Sequence, residues 1–108
     1  MGLDVFWHSE IPDLRIPDSS RRTVAEYFWD EDDVLMDAIS SLSQSDFPVL
    51  FDIDLYGDTL LDFRQCAAAR VEVERIPDWK NNAQLVRLEI LLRRCSEAAG
   101  TYVYIAGD

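Results

Sequence analysis

The chain has 108 residues, 48% of them hydrophobic, and a formal net charge of −11. This length provides one domain with a single core, and the hydrophobic content excludes a disordered acidic tail. The charge is uneven, because residues 1–62 carry 15 Asp and Glu against three Arg, a net of −12, whereas residues 63–108 carry a net of +1. An acidic field of this kind repels nucleic acid and anionic membrane and attracts a cationic partner.

The first residues, MGLDVFW, lack the basic region and the apolar run of a signal peptide, and no apolar run is long enough to cross a bilayer. We therefore expect a cytoplasmic protein. Cys66 and Cys95 are too few for a disulfide framework and lack the spacing of a zinc site. We expect both to be small buried hydrophobic residues, with a bridge between their two helices as the alternative.

The chain begins with a β-rich run, Leu3–His8, that predicts a first strand. A loop bracketed by prolines follows at residues 12–17. Ser19–Ser20 can then cap a short helix that enters at Arg21 and runs through Phe28.

Four consecutive acids, Asp30–Asp33, suit the positive end of a helix dipole and predict a second helix over Glu31–Ser43. One continuous helix over Thr23–Ser43 is the alternative. The predicted core stripe of the second helix consists of Val34, Leu35, Ala38, Ile39 and Leu42.

The stretch Pro48–Asp62 predicts a β-hairpin. Its first arm, Val49–Asp54, alternates apolar and acidic residues with the period of a half-buried strand. Gly57 is expected to supply a positive φ in the turn, and Thr59–Leu61 forms the second arm.

The second half of the chain predicts a helix, a polar turn, a longer helix and a final strand, at Cys66–Ile76, Asp78–Asn82, Leu85–Ala99 and Tyr102–Ile105. Asn81 or Asn82 caps the longer helix and Gly100 ends it. The final strand is so rich in β-formers that we expect it to pair centrally. The predicted fold is a single α+β domain, in which three or four helices pack on a small antiparallel or mixed sheet of about four strands in two layers.

Acidic and aromatic residues gather on the predicted hairpin and at the start of the second helix. Aromatic anchors beside carboxylates are the composition of an interface hot spot, where the rings supply affinity and the charges supply rate and specificity. The alternative for Tyr27, Phe28 and Trp29 is a purely structural role, in which at least two of the three rings belong to the core. The predicted partner-binding surface consists of Trp29, Asp30, Glu31, Asp32, Asp33, Asp52, Asp54, Tyr56 and Asp58.

The residues predict neither a catalytic centre nor a cofactor. The only histidine, His8, sits at a strand end and is expected to be a structural or an exposed residue rather than a base. Asp52 and Asp54 look like the aspartate motif of haloacid-dehalogenase-type phosphatases, but too little chain follows for that fold, and an EF-hand loop starting there would lack two ligands. Two alternatives stay open: a metal-binding protein or metal-dependent hydrolase that uses Asp52, Asp54 and Asp58, and a homo-oligomer whose terminal strand pairs edge to edge.

The last sixty residues resemble a group of short, uncharacterised bacterial proteins. The shared features are a D-x-Y-G-D-T turn, a Gln in the next helix and an aromatic terminal strand that ends in Gly-Asp, here at Asp54, Tyr56, Gly57, Asp58, Thr59, Gln65, Tyr102, Tyr104, Gly107 and Asp108. Such proteins look like immunity proteins of bacterial toxin systems. The resemblance implies a small acidic α+β inhibitor and carries over no activity.

Together with the charge, these observations predict a non-catalytic immunity or antitoxin-type protein. Its acidic surface would block a cationic site on a cognate toxin, a basic protein.

Overall fold

The computed structural model describes residues 2–8 and 24–107. Within them, four strands form one antiparallel sheet in the order β2-β1-β4-β3. Their bounds are Asp4–His8 for β1, Val24–Trp29 for β2, Asp58–Asp62 for β3 and Tyr102–Ala106 for β4. The predicted loop at residues 12–17 and the Ser19–Ser20 cap lie outside the described residues.

Four α-helices lie in the described part of the chain: α1 (Val34–Ser40), α2 (Pro48–Phe51), α3 (Phe63–Arg75) and α4 (Ala83–Ser96). Short 3₁₀ turns at Glu31–Asp33 and Trp79–Asn81 precede α1 and α4. The helices α3 and α4 pack against each other and against the sheet. This arrangement confirms the predicted α+β fold.

The core lies between the helices and one face of the sheet. Alternate strand residues face it, and on α3 and α4 the buried residues recur at helical spacing. The core includes Val5, Leu61, Val103 and Ile105 from the sheet and Leu35, Leu50, Cys66, Val73, Leu88, Leu92 and Cys95 from the helices.

Cys66 and Cys95 are both free and buried, which confirms that they serve as small core residues. A hydrogen bond with Cys95, together with burial, raises the pKa of the Cys66 thiol.

The terminal strand β4 lies inside the sheet, hydrogen-bonded to β1 on one side and to β3 on the other. The prediction of central pairing is therefore confirmed. Edge-to-edge pairing of this strand between two copies is wrong as a mode of assembly, because both of its edges are already used.

Residues 24–29 form the edge strand β2, so the predicted short helix and the alternative continuous helix are both wrong here. Phe28 points into the core, whereas Tyr27 and Trp29 are exposed. This alternation is the period of a strand. One ring of the three is buried, so the alternative that at least two of them belong to the core is wrong.

The first arm of the predicted hairpin is wrong, because Pro48–Phe51 forms the short helix α2. Pro48 stands in its first turn, where the missing N–H costs nothing. Leu50 and Ile53, three positions apart, are the buried residues, whereas Phe51 is exposed. Glu72 on α3 accepts hydrogen bonds from the N–H groups of Val49 and Leu50 at 3.0–3.1 Å and so holds the start of α2.

The second arm of the predicted hairpin is a strand, but it pairs with β4. Gly57 does not have the predicted positive φ. A side chain there would instead crowd the Asp54 carboxylate, which would have to shift to make room.

The second predicted helix, Glu31–Ser43, is shorter in the structure. Asp32 and Asp33 both have φ of 57°, in the left-handed region, so the α-helix begins only at Val34.

The helices of the second half lie where the sequence predicts them. Asp62 and Gln65 form a capping box at the start of α3, and Asn82 caps α4 through the N–H groups of Gln84 and Leu85. The helix α4 ends at Ser96, earlier than predicted, and Gly100 with φ of 86° belongs to the turn before β4.

Candidate functional site

The strand register brings the two predicted acidic segments to the same end of the sheet. Trp29 lies opposite Asp4, Asp4 opposite Ala106, and Ala106 opposite Asp58. One acidic segment follows β2 and the other precedes β3, so they flank this end from both sides. Three strand spacings separate Trp29 from Asp58, or about 14 Å.

We call this region the acidic end, and define it by Asp4, Glu31, Asp32, Asp33, Asp52, Asp54 and Asp58. Two backbone hydrogen bonds fix its flanks to the central strands, from Asp30 N to Leu3 O at 2.8 Å and from Gly107 N to Gly57 O at 2.6 Å. Gly107 also lies so close to the Leu55 backbone that a side chain there would collide with it.

Asp30 has a structural role that the sequence did not indicate. Its side chain is 4% exposed, and its two carboxylate oxygens accept hydrogen bonds from Leu35 N at 2.6 Å and Met36 N at 2.8 Å. The carboxylate thereby satisfies the N–H groups at the start of α1. We therefore correct the predicted surface by leaving Asp30 out of it.

Glu31 and Asp32, by contrast, are exposed. Asp33 is half-buried, and its Oδ1 atom has no hydrogen-bond partner among the described residues. On this side of the acidic end, Glu31 and Asp32 are therefore the carboxylates that can meet donors from outside, whereas Asp33 Oδ1 is buried.

On the other flank, Asp52, Asp54 and Asp58 are exposed. Asp54 accepts a hydrogen bond from Tyr56 N at 3.0 Å, and Asp58 accepts one from the Tyr104 hydroxyl at 2.6 Å. These bonds hold the loop in one shape. Tyr56 projects from it with 77% of its surface exposed.

The structure adds an aromatic row that the sequence analysis missed. Tyr27, Phe6 and Tyr104 lie directly opposite one another on three neighbouring strands, on the sheet face away from the core. Their ring centroids are 4.8 Å and 5.6 Å apart in stacked pairs. Alternation within each run hinted at this face, but the row depends on the register between strands.

Carboxylates hold both ends of the aromatic row. The Tyr27 hydroxyl donates to Asp4 at 3.3 Å, as the Tyr104 hydroxyl does to Asp58. Burial, with the hydrogen bond to Asp58 next in size, raises the pKa of Tyr104 to about 12. Both phenols therefore stay protonated as donors at neutral pH.

Trp29 continues the exposed aromatic surface at the acidic end. It is 55% exposed, and its ring centroid lies 5.9 Å from that of Tyr27, which is 46% exposed. Indole and phenol faces beside carboxylates are favourable surroundings for a cationic side chain.

The positive charges of the described residues lie elsewhere. Arg70, Arg93 and Arg94 on α3 and α4 make ion pairs with Glu74, Glu89 and Glu26. Within the described ranges, no ion pair includes an acid of the acidic end, so its charge is not neutralised by neighbouring bases there.

The candidate metal ligands are not grouped as the metal alternative requires. Asp52 follows the short helix α2, not a strand, and Asp54 and Asp58 are engaged with Tyr56 and Tyr104. Among residues 2–8 and 24–107, no three His, Cys, Asp or Glu side chains lie together in a way that could hold a metal ion.

His8, the one histidine, is fully buried, and its ring lies 6.1 Å from that of Tyr104. Burial lowers its pKa. It belongs to the packing of the sheet, as expected for a structural histidine.

A scan against protein-family models finds no match, and searches of the curated proteins and of the solved structures find none either. Among the described helices, none combines the length and the apolar character needed to cross a membrane.

Proposed function

We propose that this chain is a non-catalytic binding protein whose acidic end holds a basic protein, in the manner of an immunity-type inhibitor that covers the cationic site of a toxin. One observation carries the proposal: two acidic segments from distant parts of the sequence flank one end of the sheet, beside exposed Trp29 and Tyr56.

Each part of this surface has a physical role in the proposal. The carboxylates speed up the encounter with a cationic partner and exclude acidic ones. The exposed rings supply apolar contact and stack on guanidinium groups, which adds affinity. A toxin that binds substrate phosphates has basic residues at its active site, and covering them blocks the substrate both electrostatically and sterically. The proposal places the protein in the cytoplasm, where such a toxin would meet its target.

The experiment begins with capture of binding proteins from a lysate of the source cells on the immobilised chain, followed by a salt gradient and identification of what elutes. The captured protein is then purified, and its association rate is measured with two matched double variants. The first, Asp32→Asn with Asp52→Asn, removes one exposed charge from each flank of the acidic end. The control, Glu74→Gln with Glu97→Gln, removes two exposed charges, one from α3 and one from the residue that follows α4.

We expect a basic protein that elutes with salt. The acidic-end variant should associate several-fold more slowly at low ionic strength, because steering depends on local charge, whereas the control should keep most of the wild-type rate. An equal loss of association rate in both variants would mean that only the net charge of the protein matters, and would overturn the assignment of the acidic end. Capture of nothing basic would overturn the proposed function itself.

A further inference from the structure

A groove of about 460 Å³ separates the edge strand β2 from the helix α4. Phe28 and Leu91 are the buried residues of its lining, and half-buried Ile90 lies beside them. Arg87 and Arg94 lie about one helical turn before and after these α4 residues and complete the helical wall. The groove is therefore apolar at its centre and basic at both ends of its helical side.

The strand side of the groove is an unpaired sheet edge. Among the described strands, β2 pairs only with β1. Asp30 N donates to the oxygen of Leu3, the residue opposite it, and only alternate residues of an antiparallel pair exchange such bonds. Phe28 therefore also bonds to β1, whereas Tyr27 and Trp29 direct their N–H and C=O groups away from it. These groups can accept one more strand.

The sequence of β2 does little to protect this edge. Proteins usually block exposed edges with charged side chains, prolines or bulges. Glu26 is the only charged residue of β2, which contains no proline. The irregularity in the β1–β2 register lies between Trp7 and His8, opposite the start of β2 and before the residues that line the groove. The end of β2 beside the groove is therefore regular and open to pairing.

The charges of the groove indicate which strand fits. The helix α4 runs antiparallel to β2, because its first residues lie beside the 3₁₀ turn that follows β2, whereas Arg94 pairs with Glu26. Arg87 therefore lies toward the Trp29 end of the groove. It is exposed, and it makes no ion pair with the residues that the structure describes. A strand bound there should bring a carboxylate to Arg87.

The strand β2 itself has the pattern that the groove requires. Leu91 lies about 6 Å beyond Arg87 along the helix axis, close to the roughly 7 Å between alternate residues of a strand. An added antiparallel strand should therefore carry an acid and, two positions later, an apolar residue on the side of α4. Glu26 and Phe28 are such a pair, and the Glu26 side chain is 42% exposed, so its carboxylate can accept a second guanidinium.

We propose that two copies of this chain pair antiparallel through β2, about a two-fold axis at Phe28, so that one sheet continues across both copies. Tyr27 of each copy lies opposite Trp29 of the other, and the edge N–H and C=O groups of these residues are exchanged. Glu26 of each copy meets Arg87 of the other. The Trp29 ring of the second copy extends the aromatic row beyond Tyr27, as a cross-strand aromatic pair does.

Other registers of the same two strands fit less well. Pairing Tyr27 with Tyr27 would leave each Trp29 without a ring opposite it. Pairing Glu26 with Glu26 would set like charges directly opposite each other. The inference goes beyond the proposed function, since Trp29 borders both surfaces but no carboxylate of the acidic end takes part in the pairing.

Sedimentation equilibrium of the full chain at rising concentration measures the pairing. We expect a mass that rises from one chain to two, with a dissociation constant in the micromolar range, because the interface is small. Tyr27→Pro removes an edge N–H without breaking a bond to β1 and should weaken the dimer about tenfold or more. Tyr27→Val loses the same ring but keeps the N–H, so it should weaken the dimer less.

A charge reversal tests the helical side of the groove and leaves the strand intact if Tyr27→Pro fails to fold. Arg87→Glu should weaken the dimer about tenfold, because two ion pairs become repulsive contacts. Arg64→Glu is the matched control, since Arg64 is equally exposed but lies on α3. Equal weakening by both variants would reduce the effect to net charge and would overturn the contact between Glu26 and Arg87.

Cysteine cross-linking tests the register. In a hydrogen-bonded antiparallel pair the opposed Cα atoms lie about 5.5 Å apart, which suits a disulfide. Under mild oxidation with copper phenanthroline, the double variant Tyr27→Cys with Trp29→Cys should cross-link into dimers faster than either single variant. Faster cross-linking of a single variant would overturn this pairing. A chain that stays monomeric up to about 1 mM, or a dimer that Tyr27→Pro and Arg87→Glu leave unchanged, would overturn the inference.

Discussion

Asp30 and Asp32 belong to the same acidic run, but we expect Asp30 to stabilise the fold and Asp32 to bind the partner. Substituting each in turn tests this assignment. Asp30→Ala removes the two acceptors that hold the N–H groups of Leu35 and Met36 at the start of α1. Asp32 is exposed and its side chain makes no hydrogen bond within the described residues. We expect the first substitution to affect stability and the second to affect partner binding.

The size of the stability loss follows from the two bonds. The bond to Leu35 N is buried, so losing it leaves an unsatisfied donor at a cost of about 1–3 kcal/mol. The bond to Met36 N is part-buried, so water can replace it and the added loss is about 0.5–1 kcal/mol. The expected total is about 1.5–4 kcal/mol, equivalent to roughly 6–30 °C in Tm for a domain of this size. Asp30→Asn keeps one acceptor and should lose about half as much.

Urea unfolding followed by tryptophan fluorescence measures these free energies. Asp32→Asn should lie within ~0.5 kcal/mol of wild type, because asparagine tolerates the left-handed backbone at that position. An Asp30→Ala protein that unfolds at the wild-type urea concentration would refute the capping role and return Asp30 to the binding surface.

Three further outcomes follow from buried polar groups. Burial lowers the pKa of His8 below its ordinary 6.5, so as the pH falls the unfolded chain takes up a proton before the folded one does, and the stability that neutral His8 contributes is intact above pH 6.5 and lost below it. The urea midpoint should therefore fall further between neutral and mildly acidic pH in wild type than in His8→Gln. Equal falls in the two proteins would contradict this. Asp58→Asn should lower the pKa of Tyr104 from about 12 but leave it above 10.0, since burial is the larger cause; an unchanged phenolate titration by ultraviolet absorbance would rule out the contribution of the hydrogen bond. Glu72→Ala should lower the free energy of unfolding by about 2 kcal/mol, because it removes the acceptor for the first N–H groups of α2. Glu74→Ala, on the exposed side of α3, should lower it by less than ~0.5 kcal/mol. Similar losses for the two variants in denaturant unfolding would argue against the role of Glu72 at the start of α2.

The second half of the chain could be predicted because its signals are local. The apolar stripes of α3 and α4 run for several turns, and Asn82 marks where α4 begins. A periodic pattern of that length leaves little room for another structure.

The first half was harder because its signals are short and compete. In residues 24–29 the helix-capping pattern outweighed an alternation that places Phe28 inward and Trp29 outward. In Pro48–Phe51 the apolar residues fit a strand and a helix equally well, and Glu72, far along the chain, decides for the helix by accepting its first N–H groups. The pattern of apolar residues within one segment gives no information about a hydrogen-bond partner so far along the chain.

The candidate site shows the same division. Its acids and exposed aromatic residues were recognisable one by one, but their meeting at one end of the sheet depends on pairing between β1 and β4, at opposite ends of the sequence. Asp30 was misassigned for a related reason, because a carboxylate before a helix is equally able to serve the helix or a partner.

The interior position of β4 also sets the order in which the protein can be made. Strands β1 and β2 can pair early in synthesis, but nothing joins them to β3 until the chain has been translated through Ala106. The closing contact, Asp4 with Ala106, spans nearly the whole chain, and contacts of such long sequence separation fold slowly. Until then the nascent chain carries unpaired strand edges, which are templates for aggregation.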